Sequence, residues 1–201
     1  MEIKKVGVLG AGLMGHGIAQ VTAQAGYDVV LKDIDGGQLE KGIARIEKQL
    51  ARAVDKGRME QDEADAVRGR IDSTTDYSDL ADCDLVIEAI TEDLGAKLEM
   101  WKNVDGIVKD EAIFATNTSS LSVIEQAAVT TRPERFLGLH YFNPAQVMKL
   151  VEVVRAVTTS DEAFEAGLKF AESEKKLAVP TKDKAGFIVN RLLVPLSLIH
   201  I

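Results

Sequence analysis

Basic charge is scarce in this 201-residue chain: 24 lysines and arginines stand against 32 aspartates and glutamates, for a net charge of −8. A long-range field that gathers nucleic acid or anionic lipid is therefore not expected, and an anionic small molecule would need a local basic patch. The single cysteine, Cys83, cannot close an internal disulfide, which suits a reducing compartment. No apolar run reaches the roughly 18 residues needed to cross a bilayer. Strand-like sequence begins within a few residues of Met1 and leaves no room for a leader peptide, so the expectation is a cytoplasmic protein. Internal repeats and low-complexity linkers are absent too. What remains, 46% hydrophobic and 28% charged, is the composition of an ordinary globular chain with one good core and the start of a second.

Short apolar runs alternate with helical periodicity. Lys5 to Gly10 is a strand ending in glycine. Met14, Ile18, Val21 and Ala25 then recur at helical spacing, Gly26 closes that helix, and Asp28 to Asp33 gives the next strand. Further strands are expected at Leu85 to Ala89, Ile113 to Thr116, Phe136 to Phe142, Lys149 to Val154 and Leu177 to Thr181, with helices at Asp93 to Val108 and Asp161 to Lys175. Continuously apolar strands between helices predict an α/β fold, a mostly parallel sheet covered on both faces. Residues 37–70 break the rhythm as a helical arm, interrupted at Lys56-Gly57-Arg58. Its apolar line of Ile43, Ile46, Leu50 and Val54 is opposed by Lys41, Arg45, Lys48, Arg52 and Lys56. That basic stripe is read either as a solvated face or as a site for an anionic group.

Gly10-Ala11-Gly12-Leu13-Met14-Gly15 matches the G-x-G-x-x-G pattern and sits between a strand and a helix. The three glycines serve a sharp turn, a close backbone approach to a pyrophosphate and close helix–strand packing, while the helix N-terminus offers free N–H groups to the phosphates. Asp33 ends the second strand, close to the roughly 20-residue interval at which an acid binds a ribose 2′-hydroxyl. A 2′-phosphate would be repelled there, so the expected cofactor is NAD and not NADP.

Glu152 lies in the apolar run Lys149-Leu-Val-Glu-Val-Val154. Burying a carboxylate among such neighbours costs several kcal/mol, by order of magnitude, unless a partner is supplied. His140, on the neighbouring strand-like run, is the histidine near it in sequence. An imidazole backed by a carboxylate is a general base in prospect.

Taken together, several segments resemble the L-3-hydroxyacyl-CoA dehydrogenases: Gly-Ala-Gly-Leu-Met-Gly at 10–15, Val-Ile-Glu-Ala-Ile at 86–90, Asn-Thr-Ser-Ser-Leu at 117–121, Gly-Leu-His-Tyr-Phe-Asn-Pro at 138–144, Lys-Leu-Val-Glu-Val at 149–153 and Gly-Phe-Ile-Val-Asn-Arg-Leu at 186–192. The arm with Lys56-Gly-Arg resembles the bacterial short-chain type, the 3-hydroxybutyryl-CoA dehydrogenases. The resemblance implies a Rossmann-type, doubly wound NAD-binding domain over residues 1–185. It implies His140 as catalytic base, Glu152 as its paired acid, and Ser119 and Asn190 as active-site hydrogen-bonding groups. Further NAD contacts would fall on Glu92, Lys97, Ser119 and Asn143. The implied reaction interconverts a 3-hydroxyacyl-CoA and a 3-oxoacyl-CoA with NAD and NADH, in fatty acid or butyrate metabolism, and no residue in it needs a metal. The arm would help hold coenzyme A, with Lys48, Arg52 and Lys56 as candidates beside Ser119 on the substrate side.

Plainer readings accompany these assignments. Ser119 is also suited to capping the helix that follows it, Glu92 and Lys97 to an exposed helix start, and Asn190 to packing. The resemblance further implies that residues 186–195 begin an all-helical domain, otherwise largely missing, through which the full-length parent would form a homodimer. Exposed apolar side chains from Phe187 to Val194 would follow. Leu196 to Ile201 match the in-frame translation of a sequencing adapter, CTGTCTCTTATACACATC, and are expected to be a non-native tail, with His200 set aside from function. Two competitors are the 3-hydroxyisobutyrate and 6-phosphogluconate dehydrogenases, which share the glycine turn but draw a catalytic lysine from a helical domain, and a non-catalytic NAD-binding relative.

Overall fold

The computed structural model describes residues 2–199; of the expected tail, His200 and Ile201 lie outside them. Eight strands form one sheet: β1 (Lys5–Leu9), β2 (Asp28–Lys32), β3 (Ile71–Thr74), β4 (Leu85–Glu88), β5 (Ile113–Thr116), β6 (Phe136–Tyr141), β7 (Leu150–Arg155) and β8 (Leu177–Lys182). Their order across the sheet is β3-β2-β1-β4-β5-β6-β7-β8. The first six run parallel in the arrangement of a dinucleotide-binding sheet, with the strand order reversing between β1 and β4. β7 then turns antiparallel to β6, and β8 follows β7.

Seven α-helices are described: α1 (Gly15–Gln24), α2 (Gly36–Asp55), α3 (Gln61–Gly69), α4 (Leu94–Asp105), α5 (Val123–Ala127), α6 (Asp161–Ser173) and α7 (Val189–Ile199). Local chemistry starts several of them. Asp35, Asp93 and Ser160 each accept a hydrogen bond from a backbone N–H in the first turn of α2, α4 and α6. The expected arm is α2 and α3, broken where Gly57 takes φ +61°. No helix among the described residues is long and apolar enough to cross a membrane.

The hydrophobic core forms two clusters, as a sheet covered on both faces requires. Ile18 of α1, Ile46 of α2, Val67 of α3 and Phe170 of α6 pack with Val6, Val8 and Val153 in one. Trp101 and Val104 of α4 and Val123 of α5 pack with Val86, Phe114 and Phe136 in the other. Trp101 anchors the second, its ring 5.0 Å from Phe114 and 4.9 Å from Phe136, with its indole N–H on Gln126 at 3.1 Å. Burying these large rings contributes more than any surface pair can.

Three expectations need correction. The sheet gains β3, where no strand is expected: Asp72 and Ser73 are exposed, so this edge strand has no apolar run to reveal it. Ser119 does not cap α5; Ser122 does, accepting from the N–H of Glu125. Phe187 is buried rather than exposed, although Leu192, Leu193 and Val194 of α7 are open to solvent.

Candidate active site

The carboxyl ends of the parallel strands open into a cleft of about 1090 Å³. At its β1 end the backbone folds tightly. Gly10 has φ +96°, and a Cβ there would fall 2.5 Å from the carbonyl oxygen of Ala89. A Cβ on Gly15 would fall 1.7 Å from the carbonyl oxygen of Gly10, so only glycine lets α1 start against the turn. A Cβ on Gly12 would meet nothing within 4 Å, leaving open space before the turn. No side chain caps α1, and its first turn holds no acid. Its leading N–H groups and the positive end of its dipole are therefore available to an anion. These features fit a pyrophosphate.

Asp33 stands at the end of β2 and lines the same cleft. One carboxylate oxygen accepts from the N–H of Ala11 at 2.8 Å and the other from the N–H of Asp35 at 3.2 Å. The acid thus ties the glycine turn to β2 and fixes its own position. Leu13 and Met14 also line the cleft, Leu13 with its side chain largely exposed.

Lys97, for which an exposed helix start was one reading, is instead 1% exposed. Its ammonium pairs with Glu88, at the end of β4, and with Glu92 at 3.2 Å. Glu88 is 0% exposed and fully engaged, also accepting from the Thr116 hydroxyl at 2.7 Å and the N–H of Ile90 at 2.8 Å. Glu92 accepts from the Thr118 hydroxyl and from the N–H of Ser119 at 2.9 Å. Partial burial pushes the Glu92 carboxyl up, but the hydrogen bonds from Thr118 and Ser119 and the charge of Lys97 together hold it below the usual range. Glu88 was missed as a site residue. The signal was available: a carboxylate inside Leu85-Val-Ile-Glu-Ala89 carries the same desolvation cost as Glu152.

β6 and β7 place His140 directly opposite Glu152. The His140 Nδ1 to Glu152 Oε2 distance is 2.7 Å, with the carboxylate 0% and the histidine 5% exposed. An ionised carboxylate only accepts, so Nδ1 donates, which leaves the Nε2 lone pair as the free basic position of a ring that lines the cleft. The second oxygen of Glu152 accepts from the N–H groups of Ile188 and Val189, at 2.9 and 3.0 Å, where α7 begins. Phe142 and Phe187 hold the imidazole, their centroids 4.5 and 5.6 Å from it.

Ser119, Asn143 and Asn190 line the cleft with His140. The Asn190 amide nitrogen donates to the carbonyl of Ser119 at 3.2 Å, joining the start of α7 to the loop after β5. A second cleft of about 370 Å³ adjoins the first, since Leu13 and Asn143 line both. His16, Arg45 and Lys48 line this smaller one with Gln49 and Gln146. Of the three arm candidates only Lys48 reaches it; Arg52 and Lys56, further along α2, line neither cleft.

Comparison with known proteins gives concordant findings. Residues 5–184 match the family "3-hydroxyacyl-CoA dehydrogenase, NAD binding domain". A probable 3-hydroxybutyryl-CoA dehydrogenase of Bacillus subtilis is 45% identical over 196 residues, which are 98% of this chain and 68% of the relative. The 3-hydroxybutyryl-CoA dehydrogenase of Bradyrhizobium diazoefficiens is 45% identical over 194 residues, 96% of this chain and 66% of the relative. The crystal structure of (S)-3-hydroxybutyryl-CoA dehydrogenase from Ralstonia eutropha superposes with a TM-score of 0.95 at 42% identity, covering 97% of this chain and 69% of that one. The chain therefore spans about two thirds of the length of these relatives.

Proposed function

Because this chain belongs to the 3-hydroxyacyl-CoA dehydrogenase family of NAD-dependent oxidoreductases, we propose that its cleft interconverts 3-hydroxyacyl-CoA and 3-oxoacyl-CoA, with the four-carbon 3-hydroxybutyryl thioester as substrate. The observation that carries this reading is the buried Nδ1 to Oε2 contact between His140 and Glu152, which leaves Nε2 as the free proton acceptor. Bound NAD supplies the hydride acceptor; Gly10, Ala11, Gly12, Leu13, Met14, Gly15 and Asp33 would hold its adenosine and pyrophosphate, and Glu92, Lys97, Ser119 and Asn143 its other half.

In the oxidative direction His140 takes the proton of the substrate 3-hydroxyl at Nε2. In the reductive direction it returns that proton. Glu152 keeps Nδ1 protonated, holds the ring in place and stabilises the imidazolium, a kind of assistance that typically contributes about 10²–10⁴-fold. Ser119 and Asn190 position the reacting oxygen and the thioester. Lys48, with Arg45 and His16 of the adjoining cleft, would take the anionic end of coenzyme A, and this local patch is what an acidic chain needs to bind such a ligand.

The same reading takes residues 1–185 as the NAD-binding domain, 186–195 as the start of a helical domain, and 196–201 as a non-native tail. It places the protein in the cytoplasm, away from nucleic acid and membranes, with the full-length parent a homodimer. The test is His140→Gln. It should bind NADH as the parent chain does, by nicotinamide fluorescence, while losing most NADH oxidation with acetoacetyl-CoA. Unchanged turnover overturns the base assignment. A chain extended with the family's helical domain that binds NADH but turns nothing over favours a non-catalytic NAD-binding role.

A further inference from the structure

We propose that Asn117 is a cofactor-binding residue, its amide nitrogen donating to an oxygen of the nicotinamide–ribose half of NAD while its amide oxygen holds the peptide that follows His140. This rests on the reading of the large cleft as the dinucleotide groove and adds a contact to it.

Asn117 is the first residue after β5, and it joins three strands where they open. Its N–H donates at 2.8 Å to the carbonyl of Glu88, the last paired residue of β4. Its side-chain oxygen accepts from the N–H of Tyr141 at 2.9 Å. The β5–β6 ladder ends at the pair Thr116 and Gly138, so the asparagine side chain bridges the gap that opens beyond it. Polarity follows directly. A backbone N–H can only donate, so the oxygen of the carboxamide must face Tyr141 and the –NH₂ must be the other end. Among the described residues that –NH₂ has no hydrogen-bond acceptor, and Asn117 lines the cleft together with Glu92, Ser119 and His140.

Position decides which half of the dinucleotide it meets. The glycine turn after β1 and Asp33 after β2 lie on one side of the point where strand order reverses; β4, β5 and β6 lie on the other. A dinucleotide with its pyrophosphate at Gly12 and its adenosine toward Asp33 extends its remaining half over the ends of β4 and β5 toward His140. A fixed amide donor there meets an acceptor-rich ligand, since ribose and carboxamide both present oxygens.

Asn117→Asp separates the two ends of the side chain. The carboxylate still accepts from Tyr141, but nothing is left to donate. NADH binding by nicotinamide fluorescence should weaken about tenfold, equivalent to about 1.4 kcal/mol. ADP, which carries the adenosine and pyrophosphate but no nicotinamide, should bind by calorimetry within about twofold of the parent affinity. Asn117→Ser, which is neutral and too short to span to both sides, should show the same selective loss if the aspartate variant does not fold. Unchanged NADH affinity, or equal weakening of NADH and ADP, overturns the proposal. Asp33→Ala serves as the control: if it weakens both ligands while neither Asn117 variant weakens either, the groove stands and the role of Asn117 falls. If Asp33→Ala changes neither, the groove assignment fails and Asn117 goes with it.

Discussion

Glu152 holds His140 with one carboxylate oxygen and the backbone at Ile188 and Val189 with the other. The two N–H groups dictate what a glutamine would do in its place. They require an oxygen, so Glu152→Gln would turn its –NH₂ toward Nδ1 and make that nitrogen an acceptor. The proton would move to Nε2, where a base needs a lone pair. Turnover should fall about 10²–10⁴-fold, with NADH affinity unchanged. Nitrogen-15 chemical shifts of the imidazole should report the tautomer change directly. A variant that keeps its Nε2 lone pair and its rate would show that the acid is not orienting the ring.

Lys97 and Glu88 are a buried pair, and removing one partner leaves the other charge stranded. Lys97→Met should destabilise the chain by about 3–5 kcal/mol, read as a lowered urea midpoint. The double change Lys97→Met with Glu88→Leu should recover much of that loss, because neither charge then needs desolvating. A double variant no better than the single one would locate the cost elsewhere.

Asp33→Ala should raise the Kd for NADH about tenfold, as loss of a charged hydrogen bond to a ribose would. It should also narrow the preference over NADPH, because the carboxylate that repels a 2′-phosphate is gone. The N–H of Ala11 loses its acceptor in the same step, so some weakening of ADP is expected as well. Unaltered selectivity between the two nucleotides would remove the acid from the ribose site.

Glu174 predicts a pH dependence of stability. It lies at the end of α6, where its carboxylate accepts from the hydroxyls of Thr22 at 2.7 Å and Tyr141 at 2.6 Å. Burial pushes its pKa up to about 7 from 4.5, with the two hydrogen bonds and the charge of Lys176 opposing the rise. The folded state therefore holds this proton where the unfolded state has released it. Its contribution is full below about pH 4.5 and is lost as pH rises through about 7. Glu174→Gln should remove that slope and raise stability at pH 8 by on the order of 3 kcal/mol, measured by urea denaturation at several pH values. Parallel pH profiles for parent and variant would contradict the assignment.

Much of the sheet was legible because its strands are buried on both faces and spell out continuous apolar runs; Leu85 to Glu88 and Ile113 to Thr116 are buried at every position. β3 was not, since an edge strand with Asp72 and Ser73 outward has no such run. Glu152 stood out because an acid among valines is costly. Glu88 obeys the same rule, but its partner, Lys97, comes from the helix after the strand, and no periodicity announces a lysine turned inward. The basic stripe of α2 shows which face carries charge, but only the folded structure shows that Lys48 and Arg45 line the second cleft and Arg52 and Lys56 do not. Asn117 was visible only as part of a motif. Its significance depends on Tyr141, 24 residues away, and on the end of a ladder that sequence does not reveal.

The reversal of chain direction between β6 and β7 bears on how the molecule assembles. His140 and Glu152 are separated by 12 positions and sit on consecutive antiparallel strands, so they can meet through one short loop closure. The groove for the dinucleotide, by contrast, draws on strands from both halves of the sheet and on crossovers that must all be in place first. The acid–base unit is thus a local product of the chain and the ligand groove a global one. Loop closure therefore costs the His140–Glu152 contact less chain entropy than it costs the groove.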